Sequence, residues 1–105
     1  MRKMLKFELE GARRQRIKMP AGAAILSVGL QGSAVCLWAM VDPAAADEWR
    51  AVESYGTDHD IDSPEGLRFI GTTADASGSP PVLHHFERRA RRTTRTAGAL
   101  EGLGS

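Results

Sequence analysis

Turn-forming clusters cut this sequence into short pieces. They fall at Glu10–Arg14, Pro20-Ala21-Gly22, Gln31-Gly32-Ser33, Asp42-Pro43, Gly56–Gly66 and Asp75–Pro81. Between them lie segments of strand length. Residues 4–9 alternate, with Leu5, Phe7 and Leu9 on one side and Lys6 and Glu8 on the other. Residues 16–19 alternate again, with Ile17 and Met19 inward. Together they predict an N-terminal hairpin with a charged outer face. Residues 24–30 read as a third strand. Residues 34–41 are apolar on both faces, which fits a strand covered on both sides; a short buried helix is the alternative. Residues 48–55 fit a fifth strand. A helix over roughly 44–54 competes with it, because Ala and Glu favour helix. Residues 67–73 and 82–86 supply the sixth and seventh strands.

The pattern predicts a mostly β chain: a small antiparallel sandwich or partly open barrel of about seven strands. With 105 residues there is room for one domain. It is placed at 1–87. Apolar periodicity ends at Arg88, so residues 88–105 are expected to be a basic, disordered tail. The expected core is Leu5, Phe7, Leu9, Ile17, Leu26, Val28, Leu30, Val35, Leu37, Trp38, Val41, Phe69, Ile70 and Phe86. No apolar run reaches the roughly 18–20 residues of a membrane-spanning helix, and no secretory signal is expected. One cysteine, Cys36, excludes an intramolecular disulfide. A reducing, cytoplasmic setting is the default expectation.

The net charge of +1 hides three blocks. Residues 1–18 carry +5, residues 19–86 carry −7 and residues 87–105 carry +3. A middle this acidic does not attract phosphate backbones, so nucleic-acid contact would fall to the basic ends. In the tail the candidates are Arg88, Arg89, Arg91, Arg92 and Arg95.

Few residues form a pattern with chemistry in it. Asp58, Asp60 and Asp62 open like a calcium loop. Ser63 stands where that motif needs Gly, and Phe69 where it needs the closing Glu, so no metal site is assigned. Gly29, Gly32 and Gly71 lack the following helix of a phosphate cradle, and no cofactor is expected. His84 and His85 are adjacent, so on a strand they face opposite sides, one against the core and one in solvent. A catalytic dyad would need a nucleophile within hydrogen-bond reach of a histidine. Ser54, Thr57, Ser63 and Cys36 are the candidates, and no motif singles one out. Cys36 lies in the most apolar segment and reads as a small core residue. Trp38, Trp49 and Tyr55 cluster in the middle, and Trp49, flanked by Glu48 and Arg50, is the better surface anchor.

A set of motifs carries a resemblance. They are Met19-Pro20-Ala21-Gly22-Ala23, Ile25-Leu26-Ser27-Val28, Leu37-Trp38-Ala39, Val41-Asp42-Pro43, Gly56-Thr57 with His59 and Ile61, Phe69-Ile70-Gly71-Thr72, and His85-Phe86-Glu87. The pattern is similar to an uncharacterised family of small phage- and prophage-encoded proteins, over roughly residues 3–87. In that pattern a Gly follows the Gly-Thr pair, where this chain has Asp58. A Tyr precedes the Ile-Gly-Thr, where it has Phe69. A Trp precedes the final histidine, where it has His84. The resemblance implies a phage origin and action inside a bacterial host, with no activity and no catalytic residue attached.

The expectation is therefore a non-enzymatic binding protein that occupies a surface on a host protein complex, such as a CRISPR-type defence complex. Asp58, Asp60, Asp62 and Glu65 would mimic phosphate, and Trp49 would anchor. Two alternatives stand beside it: nucleic-acid binding through the basic ends, and an oligomeric sponge for a small nucleotide signal. Oligomeric state is left open, and no membrane association is expected.

Overall fold

Seven strands form where the turn signals leave room for them, and a computed structural model describes residues 1–89. They are β1 (Lys3–Glu8), β2 (Arg14–Pro20), β3 (Ala24–Gln31), β4 (Ala34–Val41), β5 (Asp47–Gly56), β6 (Leu67–Ala74) and β7 (Val82–Arg88). Sheet A has the order β1-β4-β3 and sheet B the order β2-β5-β7-β6, with every pairing antiparallel. The two open sheets make a sandwich. Of the tail expected to be disordered over 88–105, Arg88 is instead the last residue of β7, where it pairs with Leu67 and Ala51, and Arg91, Arg92, Arg95 and the rest from residue 90 onward lie outside the described residues.

The N-terminal hairpin does not form. β1 pairs with β4 and β2 pairs with β5. The crossing happens between two backbone bonds: Leu9 N–H donates to Val35 O at 2.8 Å, and Ser54 N–H donates to Arg13 O at 2.8 Å. Between them the Gln15 side chain holds the connection, accepting from Glu10 N–H and donating to Glu10 O, each at 2.9 Å. The helix competing over 44–54 is also overturned. Asp42 caps a turn, with Ala44 N–H on its carboxylate at 3.0 Å. Then β5 gains partners on both edges, β2 and β7. Two ladders outweigh the helical preference of its Ala and Glu.

β4 is the central strand of sheet A. Its inner-face residues Leu37, Ala39 and Val41 are fully buried and meet Leu9, Met19, Ala23, Ile25 and Val52 in the core. Its outer face is only half covered. Trp38 lies over Gly29, Cys36 is buried beside it, and Met40 is exposed. Two other core expectations fail because of bulges. Between Ile25 and Ser27 the register of β3 slips at Leu26, and between Phe69 and Gly71 the register of β6 slips at Ile70. A bulge flips the facing of what precedes it. Ile25 therefore takes the core position while Leu26 is 52% exposed. Phe69 lies on the outer face of sheet B, 55% exposed, edge-on to Phe86 at 5.5 Å between centroids. Phe86 is half-buried on that same outer face, and Leu30 is at the margin of exposure.

The inner face of sheet B is polar along much of β5, β6 and β7. Glu87 accepts from Arg50 Nε at 2.5 Å and Arg50 Nη2 at 3.1 Å, and pairs with Arg68 at 3.3 Å. Both arginines then reach across the sandwich to sheet A's side. Arg50 donates to Ala23 O at 2.8 Å and Arg68 to Ile25 O at 3.2 Å. The β3 bulge begins at the carbonyl that Arg68 takes. At the same corner β6 approaches β3 so closely that a Cβ on Gly71 would sit 2.8 Å from Val28 Cγ1.

Two outcomes follow from this corner. Gly71→Ala should destabilise the protein by about 1–3 kcal/mol in urea denaturation. Adding Val28→Ala should make the loss smaller than the sum of the single losses. Glu87→Gln should cost about 2 kcal/mol in the same assay, because Arg50 keeps its burial and loses its counter-charge.

Candidate functional site

One end of the sandwich is open. The β1–β2 connection, the β3–β4 turn, the end of β5 and the segment before β7 surround a cleft of about 700 Å³ there. That volume is within the range of ligand sites, roughly 300–1,000 Å³. Glu8 comes from the end of β1, Glu10 and Arg13 from the connection after it, Asp58 and His59 from the loop after β5, and Ser54 and His85 from the inner face of sheet B. Three carboxylates against one guanidinium make the mouth acidic.

Ser54 and His85 face each other because β5 and β7 pair them directly in register. The Ser54 hydroxyl is 2.7 Å from His85 Nδ1, and the Thr73 hydroxyl is 2.8 Å from Nε2. All three residues are buried. Burial lowers the imidazole to about 4, with the charge of His84 a smaller cause in the same direction. The ring is therefore neutral at pH 7, with one nitrogen donating and the other accepting. No carboxylate stands behind it, since its second partner is a hydroxyl. A base this weak is far from the near-neutral poise that general-base chemistry favours. The arrangement orders the wall of the cleft and satisfies three buried polar groups.

The acidic loop folds back over the outer face of sheet B. His59 stacks on buried Tyr55 with centroids 5.7 Å apart. Arg88 pairs with Glu53 and donates to the carbonyls of Ser63 at 3.0 Å, Glu65 at 3.3 Å and Asp62 at 3.4 Å. The Arg88 hydrogen bond holds the Glu53 carboxyl below the usual range, against the effect of burial. Arg88 thus secures the loop from within the fold, and Arg89 N–H donates to Gly66 O. With the backbone tied down, Asp58, Asp60, Asp62 and Glu65 are all left exposed. Asp58 has φ +68°, in the left-handed region. It occupies the position where the resembled pattern carries Gly, which adopts that conformation without strain.

Trp49 is not beside this loop's contacts. It stacks against Arg16 at 5.2 Å and Lys18 at 5.1 Å, on the outer face of the β2 edge. His84 bridges Thr57 and Thr72 at 2.9 Å each. Among the described residues no group of three His, Cys, Asp or Glu side chains is gathered to hold a metal ion. No described helix is long and apolar enough to cross a membrane.

The profile of a family described as a domain of unknown function, DUF7352, matches residues 1–96, and the chain belongs to that family. No curated protein and no solved structure matches it.

His85 ties the cleft wall to pH. Its unfolded-state value is near 6.5 and its folded value about 4. The unfolded chain therefore binds the extra proton first, and stability falls as pH drops through that window. Tm should decline between about pH 6.5 and about pH 4, and His85→Gln should flatten the upper part of that decline. An equally steep decline in the variant would assign it to carboxylates instead.

Proposed function

We propose that this chain is a non-enzymatic binding protein that uses the acidic open end of its sandwich to hold a cationic segment of a partner protein. The observation that carries this reading is the cleft itself: Glu8, Glu10 and Asp58 line a recess of about 700 Å³. The exposed acids Asp60, Asp62 and Glu65 continue the same sign along the adjoining loop. A lysine or arginine side chain entering this recess meets three exposed carboxylates, and hydrogen bonds between opposite charges are about twice as strong as neutral ones. An anionic nucleotide would meet the same groups as repulsion, which ranks the nucleotide-sponge alternative lower. The motif resemblance supports a phage or prophage origin. In that setting the partner is a host protein complex in the bacterial cytoplasm, and an anti-defence role follows if its target surface normally grips nucleic-acid phosphate.

Asp58→Gly tests the reading cleanly, because it removes a carboxylate while relieving left-handed strain. We expect the tagged full-length protein to retain a stoichiometric protein from host lysate through nuclease treatment. Asp58→Gly combined with Glu8→Lys and Glu10→Lys should lose it while keeping the wild-type circular dichroism spectrum. Equal recovery by the triple variant overturns the acidic-end reading.

A further inference from the structure

The outer face of the β2–β5 edge carries a second kind of surface. Arg14, Arg16 and Lys18 alternate along β2, all exposed and all on that face. Successive members are about 7 Å apart along the strand. Lys18 sits directly opposite Trp49 in the ladder, and Arg16 is the diagonal neighbour. Both place their charge near 5 Å from the indole centroid, yet Trp49 stays 56% exposed. Among the described residues neither Arg16 nor Lys18 forms an ion pair.

An edge strand needs charge to discourage pairing with other chains, and lysines or arginines alone achieve that. An exposed indole set among those cations works against it, since a large bare aromatic favours association. The combination has the two parts of a single-strand platform: a half-exposed indole, whose ring an unpaired base reaches once the two cations over it swing aside, and a row of cations that then turn to the backbone beside it. The charge balance agrees, for residues 1–18 carry +5 even with Glu8 and Glu10 counted. Those two acids border a shallow groove of about 450 Å³ beside β2, together with the ridge cations.

We propose that this face binds single-stranded nucleic acid, with Trp49 stacking on a base and Arg16 and Lys18, joined by Arg14, contacting phosphates. The site uses none of the residues of the acidic cleft, so either proposal can fail without the other.

The test is fluorescence anisotropy of the full-length protein with labelled 20-nucleotide oligo(dT) and oligo(U), and with a 20-base-pair duplex, across a salt series. Single strands should bind more tightly than the duplex. Trp49→Ala should weaken single-strand binding by roughly tenfold, and Trp49→Phe should restore most of it. Arg16→Ala/Lys18→Ala should flatten the dependence of log affinity on log salt by about 0.7 for each phosphate that is no longer neutralised. Melting curves of each variant, expected within a few degrees of wild type, separate an effect on binding from an effect on folding. The proposal is overturned by no binding, by preference for duplex, or by wild-type affinity and salt slope in both the tryptophan and the cation variants; the last result moves the binding to other basic residues.

Discussion

Glu87 sits between two guanidinium groups on the inner face of sheet B, and both of those groups end on carbonyls of the opposite side. Few β-sandwiches of this size can rely on apolar contact alone, because a small domain buries a modest fraction of its surface. Here part of the joint between the two sides is made by charge-assisted hydrogen bonds from guanidinium groups to backbone carbonyls. The bridge explains several otherwise separate facts. Arg68 takes the Ile25 carbonyl at the residue where β3 begins to slip. Arg50 takes the carbonyl of Ala23, just before that strand starts. Gly71 lets β6 come near enough for the reach. One anion therefore sets how the corner between β3 and β6 closes.

Closure at that corner leaves the far ends of the strands to define the cleft. The same polar habit continues along sheet B from Glu87 to His85, two residues on and on the same face. At Glu87 the partners are charged and span the sandwich. At His85 they are hydroxyls from neighbouring strands, and the ring stays neutral. The chain thus pairs its half-buried and buried charges with one another and surrounds the buried ring with neutral hydrogen bonds, since burial of an unpaired charge would be most costly.

Much of the fold was legible in the sequence, because strand breaks are local chemistry. Asp42-Pro43, Gly56–Gly66 and Asp75–Pro81 stop strands whatever the rest of the chain does. Partner choice is different. Nothing near residues 4–19 says that β1 and β2 belong to separate sheets; that depends on β4 and β5, far along the chain. The bulges at Leu26 and Ile70 were hidden for the same reason. A one-residue slip is set by the facing strand, so alternation alone puts Leu26 and Phe69 inside. The site was partly visible. Asp58 and its neighbours announced an acidic loop, and the His84-His85 pair required one ring to face inward. That Ser54 meets that ring depends on register between strands 31 residues apart. The pairing of Trp49 with Arg16 and Lys18 was likewise out of reach, since its chain neighbours are Glu48 and Arg50.

The polar lining of sheet B also shapes how the protein responds to temperature. Exposing apolar surface on unfolding raises heat capacity, while exposing polar surface lowers it. A sandwich that releases Arg50, Glu87, Ser54, Thr73 and His85 along with its aliphatic core gains less heat capacity than one lined by aliphatic residues on both sheets. Its stability curve is correspondingly flatter. The molecule gives up some height at its optimum temperature and keeps more of what it has on either side.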